Sequence, residues 1–370
     1  TLNIVGTNWT GGSTLTGGTG ADTLTGGAGV DSITGNDGAD SITGNAGNDK
    51  MYGGAGADIL TPGAGSDSIE GGAGNDTIVM STNLSSGDTI SGGAGTDTIS
   101  MTLATTIGAT ISDVETYNVT FNTGGALNAA NVSNATAINI LSGTATAATV
   151  TNLATGSTVA NGTTTAEIET ITLDTVASAS LTVKLDDAAS GALTITDAAS
   201  VTITGEDAAA TTSVANTVLD STDTTTLVLA GADAAYAMDV GAITGQGAVT
   251  SITGSTSTAS GTLTVGAYAD VGEVTSLSLT SSAANLTFST AANIGADSDG
   301  AEGESLATVT LSATNSEIDI GDGQIIYLDS VTDSTTDLTS TWTVTTAASG
   351  TVEVGGLDNT YGITTIDASE

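Results

Sequence analysis

The sequence predicts an all-β chain: a parallel roll of short repeated strands, followed by a β-solenoid or tandem β-rich modules. Three observations predict it. A nonapeptide recurs from Gly17 to Ser100. Beyond it, short segments alternate apolar residues with Thr and Ser, the composition of half-buried strands. Lys and Arg together number two in 370 residues, so the long side chains that favour helices are scarce. Hydrophobic residues make up 38% of the chain, enough for an ordered β structure in place of a disordered polar tract. The composition shifts near residue 101, and two regions are expected, residues 1–100 and 101–370.

In nines from Gly17 the blocks read GGTGADTLT, GGAGVDSIT, GNDGADSIT, GNAGNDKMY, GGAGADILT, PGAGSDSIE and GGAGNDTIV. A three-residue slip, Met80 to Thr82, precedes NLSSGDTIS and GGAGTDTIS, and a weak leading block, NWTGGSTLT, keeps only Leu15 in frame. The sixth place holds Asp22, Asp31, Asp40, Asp49, Asp58, Asp67, Asp76, Asp88 and Asp97. The eighth holds Leu24, Ile33, Ile42, Met51, Leu60, Ile69, Ile78, Ile90 and Ile99.

Each place has a physical reason. Glycines permit positive φ and close backbone approach, so the first six residues can curl into a tight loop whose carbonyls face a shared centre. Asp adds a compact anionic oxygen, and stacked loops gather the oxygens that a hard cation of calcium size prefers. The last three residues make a minimal strand with one inward aliphatic side chain. With two blocks per turn, loops two blocks apart stack on the same side. Stacked carboxylates repel without a counterion, so metal binding and folding are expected to be coupled.

This array resembles the RTX (repeat-in-toxin) family, whose G-G-x-G-x-D-x-U-x nonapeptides form calcium-binding parallel β-rolls. The resemblance covers residues 17–100 and implies Ca2+ as the bound ion, with the nine aspartates as ligands. Asn36 and Asn45 at the second place are mild departures, because Asn tolerates left-handed backbone; Pro62 at the first place is expected to cap or kink the stack.

From residue 101 the strand candidates include VETYNVT (114–120), TAINIL (136–141), IETITLD (168–174), LTVKLDD (181–187), LTITDA (193–198), VTITGED (201–207) and LTVGAY (263–268). Others are VTSLSLT (274–280), ATVTLSAT (307–314) and WTVTTA (342–347). Between 168 and 207 they start about every ten to thirteen residues, which suits a solenoid or a series of sandwich modules. Asp297, Asp299 and Glu302 surround Gly300 in DSDGAEGE, a candidate oxygen-rich cation loop as readily read as a solvated acidic turn. Glu115 and Glu169 share a V/I-E-T context and fit either a buttressed turn or a metal ligand.

GDTISGGAGTDTIS (87–100) leads through an apolar spacer into ISDVETYNVT (111–120) and a long Thr/Ala/Ser/Val tract. That order resembles the RTX-type surface-layer proteins of Gram-negative bacteria. The resemblance implies a secreted, calcium-dependent protein on the outer cell surface, a homo-oligomer in a two-dimensional lattice. It also implies type I secretion and lipopolysaccharide contact through a segment outside this chain. Thr1 begins inside patterned sequence, so the chain is expected to be a processed or truncated fragment.

Composition narrows the alternatives. The formal charge of -39, from 41 acids against Lys50 and Lys184, opposes nucleic acid and anionic membrane surfaces and favours cations. No apolar run is long enough for a transmembrane helix. Without His or Cys, Ser-His-Asp triads, HExxH metal cages and thiolate sites are unavailable within these residues. A carboxylate pair could serve glycoside hydrolysis, but among so many acids chance pairs are unavoidable. No enzyme is expected. An RTX adhesin or another passive calcium-stabilised surface protein is the alternative. Thr25, Thr34 and Thr43 read as a short threonine ladder on one face, too short for ice binding.

Overall fold

The computed structural model describes residues 1–6, 9–104, 108–122, 125–132, 134–141 and 147–161. Beyond these it describes the strands at 170–185, 190–205, 212–220, 226–231, 238–245, 251–256, 262–265, 268–269, 276–281, 285–288, 308–313, 318–320, 340–346, 352–354 and 363–367. Two compact units divide the chain, Thr1–Val159 and Ala160–Glu370. The described residues are nearly all β, and the one helical element is a 3-10 turn at Ala129–Asn131.

In the first unit the strands are β1 (Asn3–Val5), β2 (Thr14–Thr16), β3 (Thr23–Thr25), β4 (Ser32–Asp37), β5 (Ser41–Ala46), β6 (Lys50–Ala55), β7 (Ile59–Ala64) and β8 (Ser68–Ala73). They continue as β9 (Thr77–Ser81), β10 (Thr89–Ala94), β11 (Thr98–Leu103), β12 (Thr110–Ser112), β13 (Thr116–Phe121), β14 (Ala126–Asn128), β15 (Ala137–Leu141) and β16 (Ala147–Leu153). From β1 to β13 successive strands alternate between two parallel sheets. One runs β1, β3, β5, β7, β9, β11, β13, β15, and the other β2, β4, β6, β8, β10, β12.

Two nonapeptides therefore complete one turn, as the sequence predicts. The register stacks Leu24 on Ile42 on Leu60 on Ile78 in one sheet, and Leu15 on Ile33 on Met51 on Ile69 in the other. All of these side chains are buried. The alternation corrects one expectation. Thr25 stacks on Thr43 and Thr61, whereas Thr34 lies in the opposite sheet between Thr16 and Tyr52, because neighbouring blocks never share a sheet.

Parallel pairing carries past the last nonapeptide. β11 pairs with β13 from Thr98↔Thr116 to Leu103↔Phe121, and β13 pairs with β15. The core changes character there. In a nonapeptide rung the inward places are Asp, one aliphatic and Gly; in β11 they are Ile99, Met101 and Leu103, and in β13 Tyr117, Val119 and Phe121, all buried. Three large side chains per strand supply the apolar burial that one aliphatic cannot.

β17 (Ser157–Asn161) lies at the division. In the second unit β18 (Thr170–Leu185) and β19 (Ser190–Gly205) pair in parallel, followed by β20 (Thr212–Asp220) and β21 (Thr226–Gly231), and every further pairing described up to Asp367 is parallel. This is a solenoid, not a sandwich. The described parts of IETITLD and LTVKLDD, residues 170–174 and 181–185, read as separate strands, both lie in β18; LTITDA and residues 201–205 of VTITGED likewise both lie in β19. The ten-to-thirteen-residue spacing marks half-turns: the register shifts between Asp174 and Ala179, and Asp197 sits at φ 60. Inside, the register stacks Leu181 on Val201 and Val201 on Leu227, and Val183 on Ile203.

Candidate metal centre

The register that stacks the aliphatics also stacks the aspartates, two residues earlier and facing inward at the corner of the roll. They form two ladders. In the first, the backbone N–H of Asp22 donates to Asp40 Oδ1, Asp40 to Asp58, Asp58 to Asp76, and Asp76 to Asp97, at 2.7–2.8 Å. In the second, Asp31 donates to Asp49, Asp49 to Asp67, and Asp67 to Asp88, each at 2.8 Å. The nine carboxylates are all buried.

One oxygen of each carboxylate is thus committed to the neighbouring turn. The other is not: Oδ2 of Asp40, Asp49, Asp58, Asp67, Asp76 and Asp97 is buried without a hydrogen-bond partner. A buried carboxylate oxygen left unpaired costs several kcal/mol of lost hydration, on the order of the charged-group penalty. Burial accordingly pushes Asp49 and Asp76 up to about 6, with help from neighbouring ladder carboxylates, and raises Asp58, Asp67 and Asp97 as well.

The loops point these orphan oxygens at a common space. A Cβ built on Gly35 would collide with both Asp40 Oδ2 and the Gly53 carbonyl of the next turn. Gly53 bears the same relation to Asp58 and Gly71, and Gly71 to Asp76 and Gly92. The first glycine of these blocks therefore keeps open a cradle lined by a carboxylate oxygen and a carbonyl oxygen. In these loops the second place is left-handed: Asn36 φ 78, Asn45 φ 77, Gly54 φ 119 and Gly72 φ 118.

No three acidic side chains converge among the described residues. The donors are carboxylate and main-chain carbonyl together, a mixed all-oxygen set that suits Ca2+ and not a soft transition metal. The orphan Oδ2 atoms and the glycine-lined cradles are what such an ion would complete.

The ladder ends behave differently. Asp22 Oδ2 accepts from Gly18 N–H and its Oδ1 from Leu2 N–H; these bonds, the Gly18 one foremost, hold its carboxyl below the ordinary value. Asp31 Oδ2 accepts from Gly27 N–H, and Asp88 Oδ2 from Ser85 N–H. These three carboxylates are satisfied within the chain. Ser13, at the sixth place of the weak leading block, donates its N–H and hydroxyl to Asp31 Oδ1 and starts the second ladder. The two Asn departures act as seals: Asn36 Nδ2 donates to the Gly17 carbonyl and Asn45 Nδ2 to the Gly26 carbonyl, both at 2.9 Å.

Asp297, Asp299 and Glu302 lie outside the described residues. Glu169 does too, but Glu115 is described, and its Oε2 accepts the Asp97 N–H at 2.7 Å. The sequence hint for it was the V-E-T context that follows the array.

Fold and site together define a parallel β-roll stacked on buried carboxylate ladders and stapled by calcium. A family model made of four copies of the RTX calcium-binding nonapeptide repeat matches five overlapping or separate stretches, residues 10–42, 25–60, 34–69, 52–79 and 85–100. RTX nonapeptides bind Ca2+, so calcium is the ion of these ladders, and the matched residues carry RTX-type repeats. RTX repeats are typical of secreted proteins, and no helix among the described residues is long and apolar enough to cross a membrane. No curated protein and no solved structure matches the chain.

Proposed function

We propose that the chain is a structural, calcium-dependent surface-layer protein that self-assembles into a two-dimensional lattice on the outer cell surface. The observation that carries this reading is the unbroken register from β11 to β13. The calcium-stapled turns continue in register into turns closed by apolar packing, so the nonapeptides act as the locked start of a stack and not as a detachable tail. The second unit supports it with repeating rows of small hydroxyl residues, such as Thr172 beside Thr194 and Thr182 beside Thr202. Such a surface is regular, as copies that tile require.

In this reading the chain has no catalytic role. It leaves the cell unfolded by type I secretion, folds on meeting extracellular calcium, and is held to lipopolysaccharide by a segment outside these residues. The second reading is an RTX adhesin, favoured by the exposed rings of Trp9 and Tyr52. Electron micrographs and light scattering of the calcium-loaded protein separate the two. Ordered sheets that dissolve in chelator support the lattice. A folded protein that stays monomeric at high concentration overturns it in favour of the adhesin.

A further inference from the structure

The first ladder does not stop with the repeats. Thr116 N–H donates to the Asp97 carbonyl, as Thr98 N–H does to Asp76 and Thr77 N–H to Asp58, so residue 115 occupies the next ladder position. That residue is Glu115, and its Oε2 accepts the Asp97 N–H in the way each aspartate serves the one before it.

The loop above Asp97 is rebuilt to match. Where a nonapeptide curls through six residues, the chain here passes from Ser112 to Thr116 through Asp113, Val114 and Glu115. Asp113 lies at φ 52, left-handed for a residue with a side chain, a conformation kept only where the surroundings demand it. Asn134 Nδ2 donates to Asp113 Oδ1 at 3.0 Å and the Ser91 hydroxyl to its Oδ2 at 3.4 Å, which fixes the side chain. The consequence is the placement of its carbonyl. A Cβ built on Gly92 would collide with both Asp113 O and Asp97 Oδ2, the pair of contacts that Gly35, Gly53 and Gly71 make with a glycine carbonyl and an aspartate. Asp97 Oδ2 is fully buried and has no hydrogen-bond partner.

We propose that the ladder closes with a further calcium site at the end of the nonapeptides, held by the Asp97 carboxylate of the last repeat and, beyond the repeats, by the Asp113 main-chain carbonyl and the Glu115 carboxylate. The inference rests on the assignment of calcium to the ladders. Chemically it is the same all-oxygen cradle, with the glycine carbonyl replaced by that of a strained aspartate and the outer aspartate by a longer carboxylate. Functionally it places an ion at the seam between metal-stapled and apolar-packed turns, so the first apolar rung docks only on a loaded roll.

Calcium bound per chain, counted by equilibrium dialysis on the whole chain at saturating and limiting free calcium, tests it. Glu115→Gln keeps an oxygen to accept the Asp97 N–H but removes the charge; it is expected to bind one ion fewer at limiting calcium with unchanged far-ultraviolet circular dichroism. Gly92→Ala fills the cradle with a methyl group at a backbone position outside the left-handed region, and is expected to lose the same ion. The double variant should lose no more than either alone. If Glu115→Gln does not fold, the Gly92→Ala count decides. Unchanged counts in both variants, while Asp58→Asn loses an ion, would overturn the terminal site and leave the ladders standing. Unchanged counts in all three would overturn the ladder assignment and the terminal site with it.

Discussion

At the residue scale the protein turns on which carboxylate oxygens already have a donor. Asp22 has both oxygens filled by N–H groups, whereas Asp58 has one filled and one orphaned. Asp58→Asn is therefore expected to cost one bound calcium and about 2–3 kcal/mol of calcium-loaded stability, in the range for hydrogen bonds to charged groups, while Asp22→Asn changes the calcium count little. Chemical denaturation at saturating calcium, beside an ion count, checks both. Pro62 makes the opposite case. It is buried and pairs by register with the span around Gly44, so its ring stands where other blocks leave the cradle open, here beside Asp67. The next turn offers no glycine, since Met80 is buried there and its carbonyl accepts Asn83 N–H. Pro62→Gly alone is therefore expected to leave the calcium count unchanged, because the Met80 carbonyl of the next turn is already taken; a gain of one ion per chain would mean that the ring alone closes the Asp67 loop.

At the scale of the element, each nonapeptide strand buries one aliphatic side chain, so the core is two single files. Ile42 is fully buried between Leu24 and Leu60, and Ile42→Ala should destabilise the loaded roll by about 2–5 kcal/mol, read as a shift in the denaturation midpoint. The ladders also set a pH response. Asp49 and Asp76 are pushed up to about 6 from an ordinary 3.8, so in the calcium-free chain the folded roll binds protons that the unfolded chain has released. Its stability is then highest below about pH 4 and falls as pH rises through 6. A chelated sample should gain β content on acidification from pH 7 to 5, and a calcium-loaded one should not; a chelated sample that loses β content over that window would contradict the burial of these carboxylates.

The same elements show what the sequence could and could not disclose. The period of nine, the inward aliphatic and the Asp were readable because each repeat restates one local requirement. The pairing of Thr25 with Thr43 across Thr34 was misread because sheet assignment depends on turns per repeat and not on distance along the chain. Ser13, Asp113 and Glu115 stood outside the pattern, and only the three-dimensional register shows that they extend it. The halves of β18 and β19 looked like separate strands because a corner with a shifted register leaves the same small-residue gap as a loop.

For the whole molecule the two ways of closing a turn predict two responses to calcium removal. Rungs of residues 17–100 depend on the ion, while β13 with Tyr117, Val119 and Phe121, and β18 with β19, carry full apolar cores. Chelation should therefore speed amide exchange in residues 17–100 far more than in residues 170–205, in keeping with cooperative units of unequal stability. Equal exposure of both would mean that one closure mechanism serves the whole chain. The most direct test of the central claim, that calcium on the aspartate ladders folds the roll, is a calcium titration of the chelator-stripped protein at neutral pH, following β content by circular dichroism and amide exchange at Asp40, Asp58 and Asp76. The account predicts that β content rises with bound calcium and that these ladder amides become protected together as it does. Ladder amides protected to the same degree with and without calcium would contradict it.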